Sequence, residues 1–240
     1  MQGFDDPGVF FADTLDFETT HDTGRNRQEL TNRFKTFLRE FDEGKYRDML
    51  QGHYNRRQFY IDIKIEHLTH FDEQLATTLY WNPMEYLPLF EKASTEVADE
   101  LNSPRDEVDG GGEDIHITLN SDQIPCSIRD LTSDDVSKLV KIRGIMIASS
   151  VITVQPTRST IQWRFVDLQS LILQETRDSV PTGQIPRHIK MLVDWPLTEQ
   201  TVDANMVTDI VTVIGIYYSC NRKPVGPYIR VVGIQLETPS

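Results

Sequence analysis

Between Arg27 and Phe41, Leu30, Phe34, Phe37, Leu38 and Phe41 recur at helical spacing on one face of an otherwise charged stretch. That is the mark of an amphipathic helix laid against a core. The segment Tyr46 to Leu50 predicts a short continuation. The period then changes: Phe59, Ile61, Ile63 and Ile65 alternate with Tyr60, Asp62, Lys64 and Glu66, as in a half-buried strand. Leu68, Phe71, Leu75 and Leu79 return to helical spacing and predict one second helix running through all four. Asn82-Pro83 offers a cap and a proline at the first helical position, opening a third helix from Met84 to Leu101 through Leu87, Phe90 and Val97.

Past residue 114 the pattern is that of strands. Ile115, Ile117 and Leu119 alternate with polar residues, and the apolar stretches Leu139–Ala148, Val151–Phe165, Val166–Gln174, Val207–Ser219 and Tyr228–Leu236 follow. The run Val166–Gln174 leads into a hydrophilic excursion, Glu175 to Pro186, with two prolines and a glycine, and Ile189–Val193 resumes the sheet. Gly144, Gly215 and Gly233 each interrupt an apolar strand just before an isoleucine, where a small barrel needs a bend or bulge. The fold class expected is α+β: a helical subdomain followed by a five-stranded OB-fold β-barrel. The divisions are a mobile acidic arm over 1–24, a helical unit over 25–102, a linker over 103–114 (SPRDEVDGGGED) and a barrel domain over 115–240.

Charge sharpens this division. Residues 1–135 carry 13 Lys and Arg against 29 Asp and Glu, whereas 136–240 carry 11 against 8. An acidic half suits protein contacts and a mildly basic half suits a phosphate backbone, although acidity alone also keeps a protein in solution. No apolar run approaches the ~18 residues of a membrane span. The acidic opening MQGFDDPG lacks the charged and apolar regions of a secretory leader. With two cysteines, Cys126 and Cys220, a reducing intracellular compartment is expected.

Catalytic chemistry does not emerge from the sequence. It holds no GxxxxGK[ST] phosphate loop, and the glycines at 110–112 lack the lysine and the strand-to-helix setting. His67 and His70 sit at helix spacing without a third ligand, and neither cysteine has a partner set for nucleophilic work. The expectation is a non-enzymatic chain with no cofactor.

Leu173-Gln174-Glu175 followed by Val180-Pro181-Thr182-Gly183-Gln184-Ile185-Pro186-Arg187 resembles the LQE…VPxGxxPR signature of the minichromosome maintenance (MCM) family of replicative helicase subunits. Ile128-Arg129-Asp130-Leu131, Leu139-Val140-Lys141-Ile142 and Gly144-Ile145 are similar to the family's approach to the barrel. The opening GFDDPGVFFAD resembles that of one paralogue in particular. The resemblance implies a non-catalytic, ring-forming and DNA-encircling module of the replication licensing complex, working in the nucleus beside other MCM subunits in a heterohexamer. It casts Glu175, Gly183, Pro186 and Arg187 as the loop that relays strand engagement to an ATPase tier. Arg222, Lys223, Arg158 and Lys190 become candidates for sequence-independent contact with the DNA backbone. The helical unit resembles the family's outer-rim subdomain, a further surface for other replication factors, and no membrane role is implied.

The chain also departs from the family. Full-length subunits are ATP-dependent helicases with a zinc ribbon between barrel strands. Here Trp163-Arg164-Phe165 joins the flanking strands directly, so the family's zinc and ATP sites have no counterpart in this sequence. The loop Ser219–Pro227 is short, and Ile172 stands where related subunits often carry a basic residue. Two other functions fit the residues: a stand-alone OB-fold single-strand binder using Trp163, Tyr217, Tyr218 and Tyr228 as stacking surfaces, or a protein-binding adaptor using the acidic half.

Overall fold

The computed structural model describes residues 22–101, 114–158, 163–199, 209–219 and 226–237; the side chains of residues 22–25, 155–158 and 163–166 fall outside it. Residues 1–21 of the expected arm, most of the linker, Cys220, Arg222 and Lys223 lie outside the described residues, whereas residues 22–24, expected in the arm, open the first helix.

The helical unit begins with α1 (Asp22–Glu40), a 3-10 turn (Phe41–Gly44) and α2 (Lys45–Asn55). The apolar face of α1 is buried as its spacing predicts, with Phe34, Phe37 and Leu38 fully inaccessible. Phe34 stacks on Phe90 with centroids 4.2 Å apart, and Phe37 meets Phe90 and Phe71 edge-on. Each such phenylalanine contributes about 1.5–3 kcal/mol by burial. The strand β1 (Tyr60–Lys64) follows.

The second helix expected over Leu68–Leu79 is two helices, α3 (Ile65–Phe71) and α4 (Glu73–Trp81). Asp72 breaks them. Its backbone is extended (φ −154°, ψ 99°), and its carboxylate accepts the Leu75 amide at 3.1 Å while also taking the Arg33 guanidinium. Capping of the new helix outweighs continuation of the old one. The third helix, α5 (Pro83–Leu101), matches its expected extent and packs along α1.

The strand expected over Ile115–Leu119, β2 (His116–Asn120), belongs to the helical side by its hydrogen bonds. It pairs in parallel with β1, Ile61 opposite Ile117 and Ile63 opposite Leu119, and its apolar side chains join the helical core. Periodicity places a residue on a face but does not name the neighbouring strand.

Six strands make the second sheet: β3 (Leu139–Ser149), β4 (Thr153–Arg158), β5 (Trp163–Gln174), β6 (His188–Asp194), β7 (Ile210–Tyr218) and β8 (Tyr228–Leu236). Their order is β3-β7-β8-β6-β5-β4, with β3 also pairing to β5. Thus β3, β7, β8, β6 and β5 each pair with two others of these five, the strand arrangement of an OB fold, with β6 and β8 parallel and β5 pairing with β4 as well. The run Val151–Phe165, expected as one strand, divides because Arg158 pairs with Trp163 and the chain doubles back; β4 is the sixth strand, on the edge of β5. A register shift between Ile214 and Gly215 supplies one of the expected irregularities.

The two units share β7, which is buried from Val211 to Tyr217. Val211, Val213 and Tyr217 face the barrel core, whereas Ile214 and Ile216 belong to the helical core together with Leu139 and Val232. At Gly233 the backbone of β8 lies directly on that of β2, and a Cβ there would strike the Leu119 carbonyl. Glycine is required for this close approach.

Candidate relay loop and nucleic-acid face

The polar excursion between β5 and β6 is a built loop. At its neck the Glu175 amide donates to the Arg187 carbonyl at 3.0 Å, and the Arg187 amide donates to Glu175 Oε2 at 2.8 Å. Inside it, a 3-10 turn over Arg177–Ser179 is tied by the Ser179 hydroxyl to the Thr176 carbonyl at 2.8 Å. A second turn is closed by the Gln184 amide on the Pro181 carbonyl at 3.1 Å. Gly183 occupies the third position of that turn with φ +82°, a region that L side chains enter only at a cost. A Cβ at Gly183 would meet nothing within 4 Å, so the requirement is one of backbone conformation alone.

Arg129 holds this loop from the opposite side of the barrel mouth. It lies in the 3-10 turn Ile128–Asp130, fixed by a capping box between Ser127 and Asp130. Its Nε stands 2.9 Å from Glu175 Oε1 and 3.0 Å from Oε2, its Nη1 reaches Gln184 Oε1, and its Nη2 donates to the Ile185 carbonyl at 2.8 Å. Glu175 is 1% exposed and Arg129 16%. A carboxylate this deeply buried is tolerable only with a paired cation and a further donor; Arg129 supplies the cation and the Arg187 amide of the loop the donor. Sequence reasoning assigned Glu175 to the loop but missed Arg129. The one available signal was the Ser127-x-x-Asp130 pattern, which marks a stiff turn around it.

Beyond this anchor, the tip is open. Ile185 is 86% exposed, and Pro186 and Arg187 are exposed beside it. The Arg187 guanidinium has no partner among the described residues, unlike its backbone amide. The structure therefore gathers Glu175, Gly183, Pro186 and Arg187 into one rigid feature with a free apolar and cationic end.

The candidate DNA-contacting residues are less united. Lys190 is exposed on β6, opposite Ile172 on β5 and Tyr228 on β8. Tyr228 stacks on Tyr218 across the base of the β7–β8 connection, centroids 4.9 Å apart and planes 9° from parallel. Directly opposed strand positions share a face, so Lys190 and the tyrosine pair lie on the outer side of the sheet. Tyr217 points the other way, into the barrel core, and is no stacking surface. Arg158 ends β4 with its side chain outside the described residues, as is that of Trp163.

A zinc ion does not fit the described residues: no three or more of their histidine, cysteine, aspartate and glutamate side chains come together. Cys126 is half-buried with its thiol on the Lys141 carbonyl at 3.1 Å, and burial pushes its pKa up, away from the thiolate that a metal needs. The pairing of Arg158 with Trp163 leaves only residues 159–162 between β4 and β5, too few for a metal ribbon.

Comparison with known proteins agrees with this architecture. The MCM N-terminal domain matches residues 31–121 and the MCM OB domain residues 159–221. The first match includes β2, the strand that pairs with β1. Over 99% of this chain there is 35% identity to DNA replication licensing factor Mcm5 of Drosophila melanogaster and 34% to mcm5-B of Xenopus laevis. A similar protein of Arabidopsis thaliana, DNA replication licensing factor MCM5, is 29% identical over 98% of the chain. The paralogue resembled by the opening GFDDPGVFFAD is this same subunit 5. The chain spans about two fifths of the length of these relatives (41%), and the matched stretch of 303 residues exceeds its own 240, so the relatives hold segments without a counterpart here. With both domains matched in order and the sequence similar along its whole length, the chain belongs to the minichromosome maintenance family.

Proposed function

We infer that this chain acts as a non-catalytic ring-building and DNA-encircling module of the replicative helicase, in the nucleus, beside other MCM subunits. The observation that carries this reading is the anchored loop between β5 and β6. Its buried Arg129–Glu175 pair holds a free tip of Ile185, Pro186 and Arg187 away from the barrel. A loop that only connected two strands would have no need to bury a charge pair that fixes its shape. Contact with another tier of protein would use the exposed Arg187 guanidinium together with Ile185 and Pro186 beside it. In this reading the loop passes strand engagement to an ATPase tier supplied elsewhere in the assembly.

DNA contact is the second part of the proposal. Lys190, Arg158, Arg222 and Lys223 would meet phosphates without reading bases, and the stacked Tyr218–Tyr228 pair would border that contact. Because the chain carries a net charge of −13, each copy alone binds weakly and a ring multiplies the sites. Subunit contacts would run along barrel and helical edges.

The test is co-assembly. Mixed with the other five kinds of MCM subunit, the chain should enter a ring-sized species by native mass measurement, and that species should retain DNA more strongly than the free chain. A chain that stays monomeric in the mixture and binds single strands tightly by itself would instead be the stand-alone OB-fold binder. A monomer that binds neither ring nor DNA would leave the adaptor reading.

A further inference from the structure

The corner between α4 and α5 exposes three large apolar side chains within five residues: Tyr80 at 43%, Trp81 at 50% and Met84 at 53%. Single exposed apolar residues are ordinary, but a contiguous group usually has an occupant. The group continues onto the barrel, because the Tyr218 hydroxyl lies 3.0 Å from Met84 Sδ and Tyr218 stacks on Tyr228. It carries a positive charge as well. Lys138 Nζ stands 3.8 Å from the centroid of the Trp81 ring and has no carboxylate partner among the described residues.

The start of α1 is close by. Arg27 in its second turn pairs with Glu85 at 3.0 Å, and Glu85 follows Met84 in the first turn of α5. The N-terminal end of α1, to which residues 1–21 are joined, therefore lies beside this corner. Those residues have the complementary chemistry: they contain Phe4, Val9, Phe10, Phe11, Leu15 and Phe17, five carboxylates (Asp5, Asp6, Asp13, Asp16, Glu18) and no lysine or arginine. Extended chain covers roughly 3.3 Å per residue, so the eleven steps from Asp22 back to Phe11 give ample reach. Tethering also raises the local concentration of the arm to about the millimolar range, so a weak contact suffices.

We propose that the acidic N-terminal segment folds back on its own chain, seating Phe10 and Phe11 on the Trp81–Met84 corner with its carboxylates near Lys138. The contact covers the junction of the helical unit and the barrel at the base of the β7–β8 connection. It places a negatively charged segment next to the face carrying Tyr218 and Tyr228, where it would compete with phosphate. This inference does not depend on ring formation.

The test uses the full chain labelled with 5-fluorotryptophan, which gives one ¹⁹F signal each for Trp81, Trp163 and Trp195, assigned with Trp81→Phe. In Phe10→Ala/Phe11→Ala the Trp81 signal should move while the Trp195 signal stays, and the change should persist on dilution. The proposal is overturned if the Trp81 signal ignores the arm substitutions. It is also overturned if the shift vanishes on dilution, which would make the occupant a second copy. A third contrary result is a Trp81 signal that responds to oligothymidylate equally with and without Phe10 and Phe11, which would make the corner a nucleic-acid site.

Discussion

Arg129 and Glu175 stand 46 residues apart in the chain, yet the Arg129 Nε lies 3.0 Å from a carboxylate oxygen of Glu175 that is buried at 1% exposure. Removing the cation leaves a buried, unpaired carboxylate and frees two acceptors of the loop. Arg129→Met should therefore cost about 3–5 kcal/mol in urea denaturation. The double variant Arg129→Met/Glu175→Gln should cost clearly less than the sum of the single losses. Additive losses would mean that the two side chains do not stabilise the fold as a pair.

Gly183 and Arg187 should behave differently from that pair. Gly183→Ala meets no neighbouring atom and bears only the conformational cost of φ +82°, about 1–2 kcal/mol. Arg187→Ala removes an exposed guanidinium with no partner among the described residues and should change stability by less than ~0.5 kcal/mol. Thermal melts of the two variants, compared with Arg129→Met, check the order. A larger loss for Arg187→Ala than for Gly183→Ala would reverse the reading of the loop.

Gly233 gives a contrasting case among the glycines. A Cβ there collides with the Leu119 carbonyl, backbone against backbone, where no rotamer change can help. Gly233→Ala should cost more than ~3 kcal/mol, at the upper end for overpacking. Amide exchange should rise along β2, which loses its seat on β8. Unchanged protection of Ile117 and Leu119 would show that the two units do not depend on this contact.

His116 makes the junction of the two units pH-sensitive. Burial disfavours its charged form, but the Glu91 carboxylate at 3.3 Å outweighs this and raises its pKa above the ordinary value. Asp194 and Asp114 add to the rise, and the Trp195 ring packs edge-on against the imidazole. A raised folded-state pKa gives a contribution that is complete below the unfolded value of ~6.5 and fades as pH climbs through the folded one. Stability of the native chain relative to His116→Gln should therefore fall as pH climbs above ~6.5, as followed by denaturation at each pH. A difference that grows over that range would contradict the assignment.

The elements legible in the sequence are those whose period is set by one buried face. The stripe Leu30, Phe34, Phe37, Leu38 on α1 and the alternation Ile61, Ile63 on β1 both appear as read. The break at Asp72 was hidden because Leu68, Phe71, Leu75 and Leu79 keep helical spacing across it, so the interruption lies in one capping side chain. The partner of β2 was hidden for another reason, since alternation is the same whichever strand lies alongside. The loop's residues were identified from their motif, but its anchor was not. Arg129 is a single charge whose three partners come from another part of the chain, and no local pattern encodes that meeting.

The central claim is that the anchored loop relays strand engagement to an ATPase tier. The most direct measurement is DNA-stimulated ATP hydrolysis by a ring assembled from this chain and the other MCM subunits, comparing native chain with Arg187→Ala. The account predicts that rings containing the variant assemble normally and hydrolyse ATP at the native basal rate, but lose most of the increase on adding single-stranded DNA. Full stimulation by DNA in rings that demonstrably contain the variant would contradict it.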